Sequence, residues 1–306
     1  MKKFCKTLII ISVSIIGIGI ILVIGGSISG GFNVIRNGYI DSENIGNGLE
    51  QFSKIVSIDN STGYLQQVKG EDIKTIDIDV DFGNIEIREK ESLDDNQIDV
   101  ISNNNLMYIV EENNNEIRII NNPDYKRGVS FLGINFDFGF SLEEENLRVC
   151  LPKDYKLDTS NIYLAAGEIT IDGIDMTSLG VESDATNIEL ANMNITNLNV
   201  STNIGNISGK EIIFDNASVH ADTGNIELSC DVLNVLVADC NVGDIEIDLV
   251  KKEEKYNVLA RCNLGNINIG SFENSGVNGE INLIKGDENP EIQLYSDMGN
   301  IEVDFK

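Results

Sequence analysis

The chain has 306 residues, enough for one sizeable core, and 42% of them are hydrophobic, so most of it is expected to fold. Its formal net charge of −28 repels a phosphate backbone and argues against nucleic-acid binding, while leaving room for a basic partner. With 28 Gly, 3 Pro, 6% aromatics and no Trp, a core of Ile, Val and Leu punctuated by Asn and Gly favours strands and tight turns over helices.

At the N-terminus Lys2, Lys3 and Lys6 precede an apolar run from Leu8 to about Ile28 that holds no charge and no Pro. Roughly 20 helical residues cross a hydrocarbon layer of about 30 Å, so this run predicts one transmembrane helix. Its basic flank would stay in the cytosol and the C-terminal bulk would face outward. The alternative is a cleaved signal peptide, because Ser27 and Ser29 give a small-x-small pattern before Gly30, and cleavage there would release the protein. The length of the run favours the anchor. Residues 1–29 are therefore read as cytosolic tip and anchor. Residues 30–72 show no periodic pattern and read as a juxtamembrane stalk, with a short helix expected near Leu49–Ile55.

From Phe82 onward one pattern recurs, G-[N/D/E]-I-x-[I/L/V]. It appears as FGNIEI (82–87), AGEITI (166–171), IGNISG (204–209), TGNIEL (223–228), VGDIEI (242–247), LGNINI (264–269) and MGNIEV (298–303), with Thr186 in the glycine place of ATNIEL (185–190) and Gly209 departing from the last position. Gly167, Thr186, Gly205, Gly224 and Gly243 are spaced by 19 residues at every step, and Gly265 follows after 22. Gly279 reads as the start of a degraded rung. Counting from the glycine, the second position is always Ile: Ile85, Ile169, Ile188, Ile207, Ile226, Ile245, Ile267 and Ile301. The next position is polar and the one after it mostly Ile, Leu or Val, which is the alternation of a two-faced strand. Two positions before the glycine usually stands Asn or Asp, as in Asn203, Asp222, Asn241 and Asn263. With Gly83, Gly205, Gly224, Gly243, Gly265 and Gly299 these residues form a corner, since Asx caps it and Gly supplies the unusual backbone.

The expected fold is therefore all-β: a single-stranded parallel β-solenoid over residues 73–306, right-handed by the crossover rule, with rungs of about 19 residues. Residues 88–165 fit the period badly. They read as irregular first rungs with an inserted loop near 121–141, whose Phe131, Phe136, Phe138 and Phe140 form a candidate contact surface.

Candidate chemistry is sparse. His220 is the lone histidine and is expected to face solvent. Cys240 and Cys262 share a small-residue column three before the glycine and are expected to be stacked neighbours, most simply as free thiols. The Asn/Asp column offers oxygens, but acids two rungs apart lie ~10 Å from each other, so calcium is not expected. Glu86, Glu189, Glu227, Glu246 and Glu302 form a negative stripe on the solvent side. No phosphate loop, dinucleotide fingerprint or zinc-protease motif is present, and no cofactor or catalytic residue is assigned.

The repeated Gly-Asn/Asp-Ile rungs, preceded by the Leu-Pro strand NLRVCLPKDYKLD (146–158), resemble a bacterial "putative adhesin" family of unknown function. The resemblance covers about residues 73–306 and implies a β-solenoid at the cell envelope, with no established activity. The functional expectation is an anchored, extracytoplasmic, non-catalytic binding or structural module, with the membrane and a protein or cell-wall component as partners. An envelope-stress accessory working with a membrane partner is the alternative, and a carbohydrate-active enzyme is a more distant one.

Overall fold

The computed structural model describes residues 63–69, 73–90, 96–104, 106–125, 129–131, 134–136 and 146–306. The apolar run 8–28, residues 30–62 with their expected short helix, and Phe138 and Phe140 lie outside the described residues. Among the described residues no helix is long and apolar enough to cross a membrane. Two compact units are present, residues 1–60 with 127–139 and residues 61–126 with 140–306.

Five strands come first: β1 (Gly63–Lys69), β2 (Thr75–Glu89), β3 (Gln97–Ser102), β4 (Tyr108–Asn113) and β5 (Glu116–Asn121). The first unit contributes an antiparallel hairpin of β6 (Val129–Phe131) and β7 (Ile134–Phe136), in which the chain positions of Phe131 and Phe136 lie. The second unit resumes with β8 (Asn146–Leu151), β9 (Lys156–Asp172), β10 (Asp175–Ile204), β11 (Ile207–Thr223), β12 (Ile226–Val242) and β13 (Ile245–Leu249). It ends with β14 (Asn257–Ile269), β15 (Phe272–Leu283), β16 (Glu291–Met298) and β17 (Ile301–Phe305).

The second unit is a β-solenoid-like stack. Ile85 pairs in parallel with Ile169, Ile169 with Ile188, Ile188 with Ile207, Ile207 with Ile226 and Ile226 with Ile245. All eight members of this isoleucine column are buried. Each such side chain gives about 1.5–3 kcal/mol on burial, and the β-branched shape suits a pleated surface. At Gly224 the backbone φ is +146°, and a Cβ would lie 1.9 Å from the carbonyl oxygen of Gly205 in the rung beneath.

Chain order and spatial order part company after β13. Ile245 pairs with Ile301 and Ile301 with Ile267, so the rung β16–β17 is inserted between β12–β13 and β14. Cys240 and Cys262 are thus not adjacent, because Ser296 stands between them in the register. The expected rung at Gly279 is also corrected: β15 runs antiparallel to β14 and pairs Gly279 with Cys262. The reversal is made by the two-residue turn between Ile269 and Phe272, where Gly270 has φ +55°.

At the other end β2 pairs in parallel with β5 along its first half and with β8 along its second, so these two strands make one split rung. Antiparallel β4 covers β5, β3 covers β8, and β1 adds to β3. Residues 63–69 therefore belong to the sheet and not to the stalk expected over 30–72. Both ends of the parallel stack are closed by antiparallel strands, which shield the terminal Ile and Val side chains that a bare rung would expose.

Candidate functional site

Stacking turns each sequence column into a ladder of like side chains. In the buried column three before the glycine, four of the side chains are donors as well as small. Thr202 donates its hydroxyl to the Thr186 carbonyl (3.4 Å) and Ser296 to that of Gly243 (3.4 Å). The Cys240 and Cys262 thiols donate to Gly224 and Gly299 (3.1 Å each). Each of these four reaches the corner carbonyl one rung away, a role that Ser, Thr and Cys can fill, whereas among the described residues Ser183 Oγ in the same column meets no partner and Ala221 has no donor.

The Asx column, in spatial order, is Asp184, Asn203, Asp222, Asn241, Asp297 and Asn263. Asn203 Nδ2 donates to Asp184 (3.1 Å), Asn241 to Asp222 (2.7 Å) and Asn263 to Asp297 (2.6 Å). These carboxylates accept amide donors, and among the described residues no group of three His, Cys, Asp or Glu side chains converges to hold a metal. A second ladder follows the glycine. The backbone N–H of Asn206 donates to Asn187 Oδ1, that of Asn225 to Asn206, that of Asp244 to Asn225, and that of Asn300 to Asp244 (2.6–3.0 Å). The recurrent N or D of the motif is its sequence signal; its side-chain-to-backbone role emerges only once the rungs are stacked.

Cys150, Cys230, Cys240 and Cys262 are free and buried. Burial pushes the Cys230 thiol up to about 12 and that of Cys240 up to about 11, and it raises Cys150 as well. Thiolate is the reactive form. With Cys5 replaced by Ser, Ellman's reagent at pH 8 should therefore find no fast-reacting thiol in the native protein and all four after unfolding in urea. The same shifts mean that the unfolded chain ionises first, so stability should decline as pH rises from 9 towards about 11–12.

On the solvent side Glu227, Glu246 and Glu302 are in-register neighbours, flanked by Asp248 and Asp304. Partial burial and these four acids raise the Glu246 carboxyl above its ordinary value. A raised carboxyl is ionised at a cost in the fold, so its unfavourable effect is absent at low pH and grows as pH rises. Glu246→Gln should raise the melting temperature at neutral pH, and the gain should shrink in high salt and vanish below about pH 4.

His220 lies in register between Ser201 and Asp239. A hydrolytic triad would aim one ring nitrogen at a serine and the other at an acid. Here Nε2 meets Asp222 Oδ1 at 3.1 Å and Nδ1 faces Asp239 Oδ2 at 3.5 Å, so both nitrogens are engaged by carboxylates. Among the described residues no nucleophile is brought onto this histidine.

The family described as Toastrack DUF4097 matches residues 73–304. No curated protein matches the chain. Among solved structures, a "putative cell adhesion protein" from Clostridium sporogenes is 15% identical, covers 80% of this chain and 100% of its own, and has a TM-score of 0.35. A "putative adhesin" from Bacteroides fragilis is 11% identical over 79% of this chain and 95% of its own, with a TM-score of 0.40. A "putative lipid binding protein" from Parabacteroides distasonis is 16% identical over 81% and 95%, with a TM-score of 0.35.

Proposed function

This chain belongs to the Toastrack DUF4097 family, and on that premise we propose that it is a non-catalytic binding or structural module held at the outer face of a bacterial membrane. The observation that carries this reading is the in-register stacking of outward columns. One type of side chain repeats at the rung spacing of ~4.8 Å over successive strands, as Glu227, Glu246 and Glu302 do. A repeated face of this kind suits an extended partner better than a small substrate. Its acidic sign fits a basic protein or a cationic wall component. The engagement of both His220 nitrogens by carboxylates supports a role without catalysis.

The anchor in this proposal is the run Leu8–Ile28 behind Lys2, Lys3 and Lys6, and the coil is taken as right-handed. Fractionation of cells expressing the full chain, followed by protease treatment of intact cells, tests the arrangement. The expected result is a membrane-bound protein cut from outside. Recovery from the medium would mean cleavage after Ser29, and a protease-protected cytosolic protein would sink the reading.

A further inference from the structure

One outward column is mostly apolar. The residue before each corner glycine is, in spatial order, Phe82, Ala166, Ala185 and then Ile204, Thr223, Val242, Met298 and Leu264, and Val277 of β15 extends the row by pairing with Leu264. None of the nine is charged in a chain whose charged content is 24%. The apolar side chains are nevertheless exposed: Ile204 61%, Val242 46%, Met298 51%, Leu264 52% and Val277 72%. From Ile204 to Val277 five steps of ~4.8 Å make a ridge of about 24 Å. Isolated exposed apolar residues are ordinary, whereas a contiguous row marks an interaction surface.

The columns on either side decide what the ridge would accept. Before it stand Asp81, Asp184, Asp222 and Asp297, and beyond the corner glycine Glu168 and Asp244, with amides at the other positions except Ala165 and no Lys or Arg in either column. A lipid surface rich in phosphate would be repelled by these acids, and a second copy would set the same acids face to face. We infer that the ridge docks a cationic amphipathic helix of a partner protein, with apolar side chains along the ridge and basic ones over the flanking acids. The helical pitch of ~5.4 Å is close to the rung spacing of ~4.8 Å, so a helix lying along the stack meets about one rung per turn. This inference rests on the reading of the chain as a binding module and names its partner class.

The test uses the full chain in nanodiscs of zwitterionic lipid and a fluorescent Leu/Lys peptide of about 18 residues, five helical turns, with a scrambled peptide of the same composition. The ordered peptide should bind more tightly than the scrambled one. Replacing Ile204, Val242, Met298 and Leu264 by Thr, which Thr223 shows the column accepts, should raise the Kd at least tenfold with the melting temperature unchanged. Asp184→Asn, Asp222→Asn and Asp297→Asn together keep the acceptor oxygens and should weaken binding while flattening its salt dependence. Equal binding of the scrambled peptide, or of the Thr variant, would overturn the inference. So would sedimentation showing that the wild type dimerises through the ridge and the Thr variant does not. An outward-facing membrane protein without ridge-dependent binding fails this inference alone, whereas a cytosolic chain fails the reading beneath it.

Discussion

Gly224→Ala is expected to destabilise the protein by roughly 3 kcal/mol or more, a large share of an ordinary domain's stability. Two causes act together. The backbone at Gly224 has φ +146°, a region that L side chains rarely adopt, and the added Cβ would lie 1.9 Å from the Gly205 carbonyl oxygen. That oxygen is backbone of the next rung, so it cannot rotate away as a side-chain end could. Relief would require the rungs to part and the Asn206–Asn225 ladder to stretch with them. Gly276→Ala separates the causes: φ there is +122°, but nothing lies within 4 Å of the new Cβ. It should cost only the backbone share, about 1–3 kcal/mol. Urea unfolding of both variants reads the difference, and equal losses would mean that close approach is not what selects glycine. Thr186 shows how one rung escapes: β10 runs unbroken through it without a positive φ, and its hydroxyl donates to the Leu164 carbonyl.

The rung was legible because burial forces a period. Ile at one position and a polar residue at the next can recur every 19 residues only if each strand covers the last. Spatial order was not legible from the same columns, because identical columns stack in any order. Gly265 and Gly299 both match Gly243, and the connection between them decides which rung sits where. One signal did carry the answer. Stacked in chain order, Asn241 and Asn263 would meet, amide on amide, and Asp297 would be left outside. With the rung of Asp297 inserted, acid and amide alternate without a break, and each Asn donates to an Asp. The split first rung was obscured for a different reason. β5 and β8 are separated by residues 122–145, so no fixed spacing links them, although each alternates as a strand should. The apolar ridge stands in the motif itself, as the residue before each glycine, but only its neighbours have a structural role that repeats, so the sequence does not mark it as a surface.

The closing strands at the β1–β3 end predict the second large effect. Lys90 Nζ lies 2.7 Å from Asp99 Oδ2, and both side chains are at most one-tenth exposed. Gln67 Nε2 donates to the other carboxylate oxygen at 3.1 Å, which ties β1, β3 and the end of β2 together. The Lys90 backbone N–H donates to the Leu151 carbonyl, which carries the pairing of β2 with β8 up to the base of this side chain. Asp99→Ala should therefore cost about 3–5 kcal/mol, because it leaves a positive charge in a site with little water. Removing both charges is a different matter, since the desolvation of the pair offsets much of its attraction. Lys90→Met with Asp99→Leu should recover most of the loss, and the double-mutant cycle from urea unfolding should give a coupling of several kcal/mol. Single variants that each lose less than about 1 kcal/mol would show that solvent reaches the pair and that the antiparallel cap is held by its apolar contacts alone.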